Sequence, residues 1–84
     1  MILSSYPKID LHGMDSSYAS IMVNDFINDN MKMRNRYIVV IHGIGNGILR
    51  KRIYENLKHD KRILSYKLDI FNEGQTLVEL KVKK

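Results

Sequence analysis

Three side chains in this 84-residue sequence have the types and spacing for proton chemistry: Asp10, His12 and His42. Asp10 and His12 stand two apart in Lys8-Ile-Asp-Leu-His12, a run that alternates and stops at Gly13. Alternation puts the carboxylate and the imidazole on one face of a short strand, with Ile9 and Leu11 on the other. A carboxylate beside an imidazole raises its basicity and fixes its tautomer. His42 closes a second apolar run, and two histidines near a scissile phosphate can divide the general-base and general-acid roles. The plainer reading of His42 is a satisfied histidine at a strand end. Asp10, His12 and His42 together are also a ligand set for a metal, although no tight His-x-x-x-His spacing supports one. His59 falls near a predicted helix C-terminus, where a capping cation is the simpler role.

The segment after His42 adds a place for an anion. Gly43-Ile-Gly-Asn-Gly47 alternates three glycines, which can take positive φ and let the backbone approach a ligand. A helix follows, and its N-terminus offers unsatisfied N–H groups and the positive end of the dipole, a combination that suits a phosphate. The pattern is neither a Walker loop nor a dinucleotide fingerprint, because the third glycine of G-x-G-x-x-G would fall at Ile48. A tight strand-to-helix turn is the plainer alternative. Arg50, Lys51 and Arg52 sit at the start of that helix, where cations oppose the dipole by about 0.3–1 kcal/mol each. A bound phosphate would reverse that penalty. Tyr37, Tyr54 and Tyr66 could stack bases, with core or strand packing as the alternative for each.

The elements that must position these groups follow from periodicity. A helix is predicted over about residues 16–31, with Ala19, Met22, Val23, Phe26 and Ile27 as its apolar stripe and Asp15, Ser16 or Ser17 as N-cap. Asn24, Asp25, Asn28 and Asp29 make its solvated face. Tyr37–Ile41 is a β-branched strand, and a second helix over about residues 48–59 buries Leu49, Ile53 and Leu57. Ile63, Leu64, Tyr66, Leu68 and Ile70 predict a third strand, and Asn72-Glu-Gly-Gln75 a turn. Thr76, Val78, Leu80 and Val82 alternate in a fourth. The order is β-α-β-α-β-β, an α/β chain of the two-layer α+β kind. Its first two strands are parallel through a helical crossover, and its last two form a hairpin. Two helices cover one face of a mixed four-stranded sheet, leaving the other partly open. Parallel first strands bring Asp10, His12 and the glycine loop to one sheet edge, where open α/β sheets bind ligands.

Composition bounds the rest. The length allows one domain, residues 1–84, and no second core. The absence of cysteine excludes a disulfide framework, a thiolate nucleophile and any Cys-ligated metal centre. No signal peptide or membrane span is legible, so a cytoplasmic setting is the expectation. The net charge of +5 is uneven: residues 1–31 hold one lysine against four aspartates, and residues 32–84 hold the other 13 cations against five anions. A basic two-thirds points to a polyanion such as nucleic acid, with a solubilising surface as the bland alternative.

Ile9-Asp-Leu-His-Gly13 resembles the L-D-L-H-G motif of the small MutS-related (Smr) domain. His42-Gly-Ile-Gly-Asn-Gly-Ile-Leu-Arg50 resembles that family's H-G-x-G-x-G-x-L-R motif, and Gly74-Gln-Thr-Leu-Val-Glu-Leu80 its G-x-T-x-V-x-L strand. The three occur in the family's order and span about residues 9–82. Ile9 replaces the commoner Leu, and the segment between the third and fourth strands is short. The resemblance implies a two-layer sandwich similar to the C-terminal domain of translation initiation factor three, and nucleic-acid cleavage: DNA nicking or RNA endonuclease activity. It carries catalysis onto Asp10 and His12. It carries substrate binding or catalysis onto His42, Gly43 and Gly45, with Arg50 beside them.

The expectation is therefore an endonuclease acting on RNA or DNA. Asp10, His12 and His42 move protons, while Gly13, Gly43, Gly45, Gly47, Arg50, Lys51 and Arg52 hold phosphate. On RNA the neighbouring 2′-hydroxyl can attack without a cofactor. On DNA water must attack, and a divalent metal becomes part of the expectation. The alternatives are a non-catalytic nucleic-acid-binding module in translation quality control or DNA repair, with ribosome or repair proteins as partners, and a protein-interaction domain using the open sheet face. The start Met1-Ile-Leu-Ser-Ser-Tyr-Pro7, running straight into the first motif, suits a free-standing protein.

Overall fold

The computed structural model describes residues 5–83. The elements are β1 (Lys8–Asp10), α1 (Ser16–Lys32), β2 (Tyr37–Ile41), α2 (Ile48–Lys58), β3 (Ile63–Leu68) and β4 (Gln75–Leu80), in the predicted order. Residues 1–4, which belong to the starting segment discussed above, lie outside the described residues. Of the three candidate caps of α1, Asp15 serves: its Oδ2 accepts from Ser17 N at 3.1 Å and Tyr18 N at 3.2 Å. The stripe buries Ala19, Val23 and Ile27, with Met22 and Phe26 at its margin, and Asn24, Asp25, Asn28 and Asp29 are exposed. Asn30 is also buried, because its amide donates to Phe26 O and its Oδ1 accepts from Asn35 Nδ2, both at 2.8 Å.

The four strands form one sheet in the order β1-β2-β4-β3. β1 and β2 are parallel, while β4 is antiparallel to both β2 and β3. The last strand thus lies inside the sheet and the third at its edge. Composition accounts for this: Thr76, Leu77, Val78 and Leu80 of β4 are buried, whereas β3 places Ser65 and Lys67 in solvent, as an edge strand tolerates.

Both helices pack on the same sheet face. Ala19, Val23 and Ile27 of α1 and Ile53 and Leu57 of α2 share one core with Leu11, Ile38, Val40, Ile63, Val78 and Leu80. The opposite face is less open than expected. Val39 and Leu77 pair across the β2–β4 ladder there, and both are buried. Beyond them that face carries the Arg36–Glu79 ion pair and the Tyr6 ring, 5.2 Å from Tyr37.

The third strand departs from the expectation at both ends. The ladder shifts register between Ile63 and Ser65, so Leu64 lies in a bulge and is more than half exposed. At the other end Ile70 is not in the strand. Asp69 turns the chain, its Oδ1 accepting from Phe71 N and its backbone oxygen from Asn72 N. Ile70 and Phe71 consequently project into water. Among the described residues no helix is long and apolar enough to cross a membrane.

Candidate active site

The parallel pairing of β1 with β2 sets Asp10 beside Ile41, so the two strands end together. One more backbone bond, Leu11 N to Ile41 O at 2.7 Å, carries the pairing past β1. Gly74 O then accepts from both His42 N and Gly43 N at 2.9 Å, tying the β3–β4 turn to the same edge. Between the β1–α1 corner and the glycine loop lies a cleft of about 580 Å³. His12 and Gly13 stand on one wall, and His42, Gly43, Gly45, Gly47 and Arg50 on the other. Met14, Asp15 and Ser16 complete the first wall, so a carboxylate also borders the space.

Asp10 stands behind His12. Its Oδ1 accepts from His12 Nδ1 at 2.5 Å and from His12 N at 3.2 Å. A carboxylate only accepts here, so Nδ1 carries a proton, and Nε2 has no partner among the described residues. The pair is largely solvated, with side-chain exposures of 54% and 70%. The bond to Asp10, helped by its charge, holds the His12 pKa above 6.5, and the bond to His12 holds Asp10 below 3.8. The stabilisation from His12 is complete below its unfolded pKa and fades as pH rises through the folded one. The Asp10 share is present above 3.8 and fades as pH falls through its depressed value. The Asp10→Asn variant should lower the His12 midpoint toward 6.5 in an NMR titration. An unmoved midpoint would show that the pair does not form in solution.

His42 is held very differently. It is 3% exposed, and both ring nitrogens are engaged: Nδ1 with Gly43 O and Nε2 with Thr76 Oγ1, each at 2.8 Å. Since a carbonyl only accepts, Nδ1–H donates to it, and the neutral ring takes the Thr76 hydroxyl proton at Nε2. Tyr54 Oη in turn donates to Thr76 Oγ1 at 2.7 Å, closing a buried chain. Burial, and more weakly the charge of Arg50, push the His42 pKa below 6.5 against the opposing bond to Gly43. His42 therefore meets the description of a satisfied strand-end histidine, with no ring nitrogen spare for a ligand. Thr76→Val strips the hydroxyl from both neighbours and is expected to cost about 1–3 kcal/mol in urea unfolding. No loss of stability would mean the chain is dispensable.

Gly43, Gly45 and Gly47 all take positive φ. At Gly43 the glycine is required twice over, because φ is +81° and a Cβ would lie 3.1 Å from His12 Cβ. The His42 ring holds the Gly43 carbonyl, and Gly43 packs against His12, so both histidines meet the chain at Gly43. Gly47 caps α2 without a side chain, and Asn46 Oδ1 accepts from Ile48 N at 3.1 Å. The N–H groups of Leu49 and Arg50 have no acceptor among the described residues, and both residues line the cleft.

The basic triplet is split by the helix. Arg50 lines the cleft, Lys51 faces a neighbouring groove, and Arg52 borders neither. Consecutive residues lie 100° apart around a helix, so the three cations do not share one face. His59 caps the far end of α2. Nothing local in the sequence marks Thr76 and Tyr54 as neighbours of His42. The available signal was Thr76 itself, a polar residue at an inward position of an otherwise apolar strand. Among the described residues no three His, Asp or Glu side chains gather as a metal site.

Comparison with known proteins agrees with this fold. The family model described as Smr domain matches residues 9–81. The chain is 39% identical over 77 residues to the endonuclease MutS2 of Clostridium tetani and 34% identical over 77 residues to that of Clostridium beijerinckii. Each alignment covers 88% of this chain and 10% of the relative, so the chain spans about a tenth of their length. The crystal structure of the Smr domain of Thermus thermophilus MutS2 superposes with a TM-score of 0.86 at 28% identity, covering 89% of this chain and 98% of that one. YdaL, a stand-alone small MutS-related protein from Escherichia coli, shares the fold with a TM-score of 0.85 at 22% identity, over 94% of this chain and 69% of that one.

Proposed function

The chain belongs to the Smr domain family, and on that premise we propose that it is a nucleic-acid endonuclease whose proton-moving group is His12. The observation that carries this reading is the Asp10–His12 pair: an imidazole with its basicity raised, its Nδ1 occupied and its Nε2 free, on the wall of a cleft. The facing wall supplies what a phosphodiester needs, namely the free N–H groups of Leu49 and Arg50, the dipole of α2 and the Arg50 guanidinium. The relatives named endonuclease MutS2 lend the same direction to the reading.

RNA is the substrate that needs least beyond these groups. His12 Nε2 takes the proton of a 2′-hydroxyl, the 2′-oxygen bonds to phosphorus, and the bond from phosphorus to the 5′-oxygen breaks. Arg50 and the α2 N-terminus hold the extra charge of the phosphorane. The leaving 5′-oxygen collects a proton from water, since both nitrogens of His42 are occupied. The products are a 2′,3′-cyclic phosphate and a 5′-hydroxyl. His42 is a positioning residue here: it fixes Gly43, against which His12 rests.

A second reading is a module that binds without cutting, and the single free imidazole in the cleft favours it. Labelled single-stranded RNA, structured RNA and supercoiled DNA, each with and without EDTA, separate the two. A cyclic phosphate end supports the RNA route, a 5′-phosphate end replaces it by attack of water, and salt-sensitive binding without products supports the second reading.

A further inference from the structure

A second concavity, of about 620 Å³, continues from the cleft between α2 and the edge strand β3. Asn46, Gly47 and Arg50 line both spaces, so a ligand leaving the cleft past Arg50 enters this groove directly. Lys51 and Lys58 stand along its α2 side, with Glu55 as the one anion between them. Tyr66 forms its β3 side.

The Tyr66 ring is half-buried and is held by Tyr54, whose ring meets it edge-on at 5.0 Å and 63°. Tyr54 is itself anchored through its hydroxyl to Thr76. A ring braced from behind loses little freedom when a base lies on it. Cations spaced along a groove beside an aromatic platform are the ingredients of single-strand recognition, in which charge follows the backbone and the ring accepts a base of any sequence. Bases in a duplex are stacked on one another and cannot reach such a ring.

We propose that this groove is the track for the unpaired nucleic-acid strand flanking the phosphate in the cleft, with Lys51 and Lys58 on its backbone and Tyr66 under a base. The proposal rests on the cleft binding nucleic acid, and it makes the preferred ligand a single strand that extends beyond one nucleotide step.

The test is fluorescence anisotropy with a 12-nucleotide single strand, a trinucleotide and a blunt 12-base-pair duplex, in RNA and DNA forms, between 50 and 200 mM salt. Tyr66→Leu should weaken the 12-mer by about fivefold or more. Lys58→Glu, at an exposed position that cannot unfold the domain by cavity formation, should weaken it too and reduce the salt slope by about 0.7. Neither variant should change trinucleotide affinity, and the duplex should bind the wild type more weakly than the single strand. Loss on 12-mer and trinucleotide alike, no loss on the 12-mer with Lys58→Glu, or tighter binding of the duplex would overturn the track. Because the readout is binding, absence of cleavage would sink the endonuclease reading while leaving the groove to stand or fall by these affinities.

Discussion

Replacing His12 with alanine is expected to slow cleavage of single-stranded RNA by about 10²- to 10⁴-fold, the range for loss of a positioned general base. Unfolding free energy should stay within about 0.5 kcal/mol of wild type, because the side chain is 70% exposed and supports no core. The sign of the pH dependence follows from the pair. A base must be neutral, so the rate should rise with pH through the His12 pKa, which Asp10 holds above 6.5. Asp10→Asn should retain part of the activity and move that rising limb to lower pH. A structural role for Asp10 would lower the rate without moving the limb. An alanine variant at His12 that cuts as fast as wild type would remove this residue from the mechanism.

The second large effect is expected at Gly43. Alanine there must take φ of +81°, which costs about 1–2 kcal/mol for a residue with a Cβ. That Cβ would also sit 3.1 Å from His12 Cβ, so either the loop or His12 must give way. Gly43→Ala should therefore lower stability by about 1–2 kcal/mol and also depress cleavage, with altered His12 ring shifts by NMR. Gly45→Ala is the matched comparison. Gly45 also has positive φ, but nothing lies within 4 Å of its would-be Cβ. It should carry backbone strain while leaving the His12 ring shifts in place. Equal perturbation of His12 by the two variants would show that the close approach at Gly43 is not what positions the imidazole.

These two predictions draw on different levels of information. The pairing of Asp10 with His12 is a local matter, since residues two apart on an extended segment share a face whatever surrounds them. The same holds for the α1 stripe, the Asp15 cap and the turn-forming glycines, whose signals lie within a few residues of one another. The resemblance of the three motifs to the Smr domain also resides in sequence, and the match over residues 9–81 bears it out. Local reasoning failed where the chain leaves regular geometry. The bulge at Leu64 and the Asp69 turn that releases Ile70 both interrupt an alternation that reads as continuous.

What tertiary structure alone decided is which charged and imidazole groups face the cleft. Sequence presents both His12 and His42 as candidates, each followed by a glycine at a strand end, with a satisfied histidine as the plainer reading of the second. They differ because His42 points inward beneath α2, where Thr76, 34 residues away, takes its second nitrogen. Contacts across such separations leave no periodic trace. The triplet Arg50-Lys51-Arg52 likewise reads as one patch, and only the helical turn shows that it serves a cleft, a groove and open solvent. Sequence by itself therefore determined the order of elements, the family and the Asp10–His12 pair, because each depends on near neighbours. The sheet order, the engagement of both His42 ring nitrogens and the groove beside Tyr66 arise only when β4 inserts between β2 and β3, which brings Thr76 to the His42 ring.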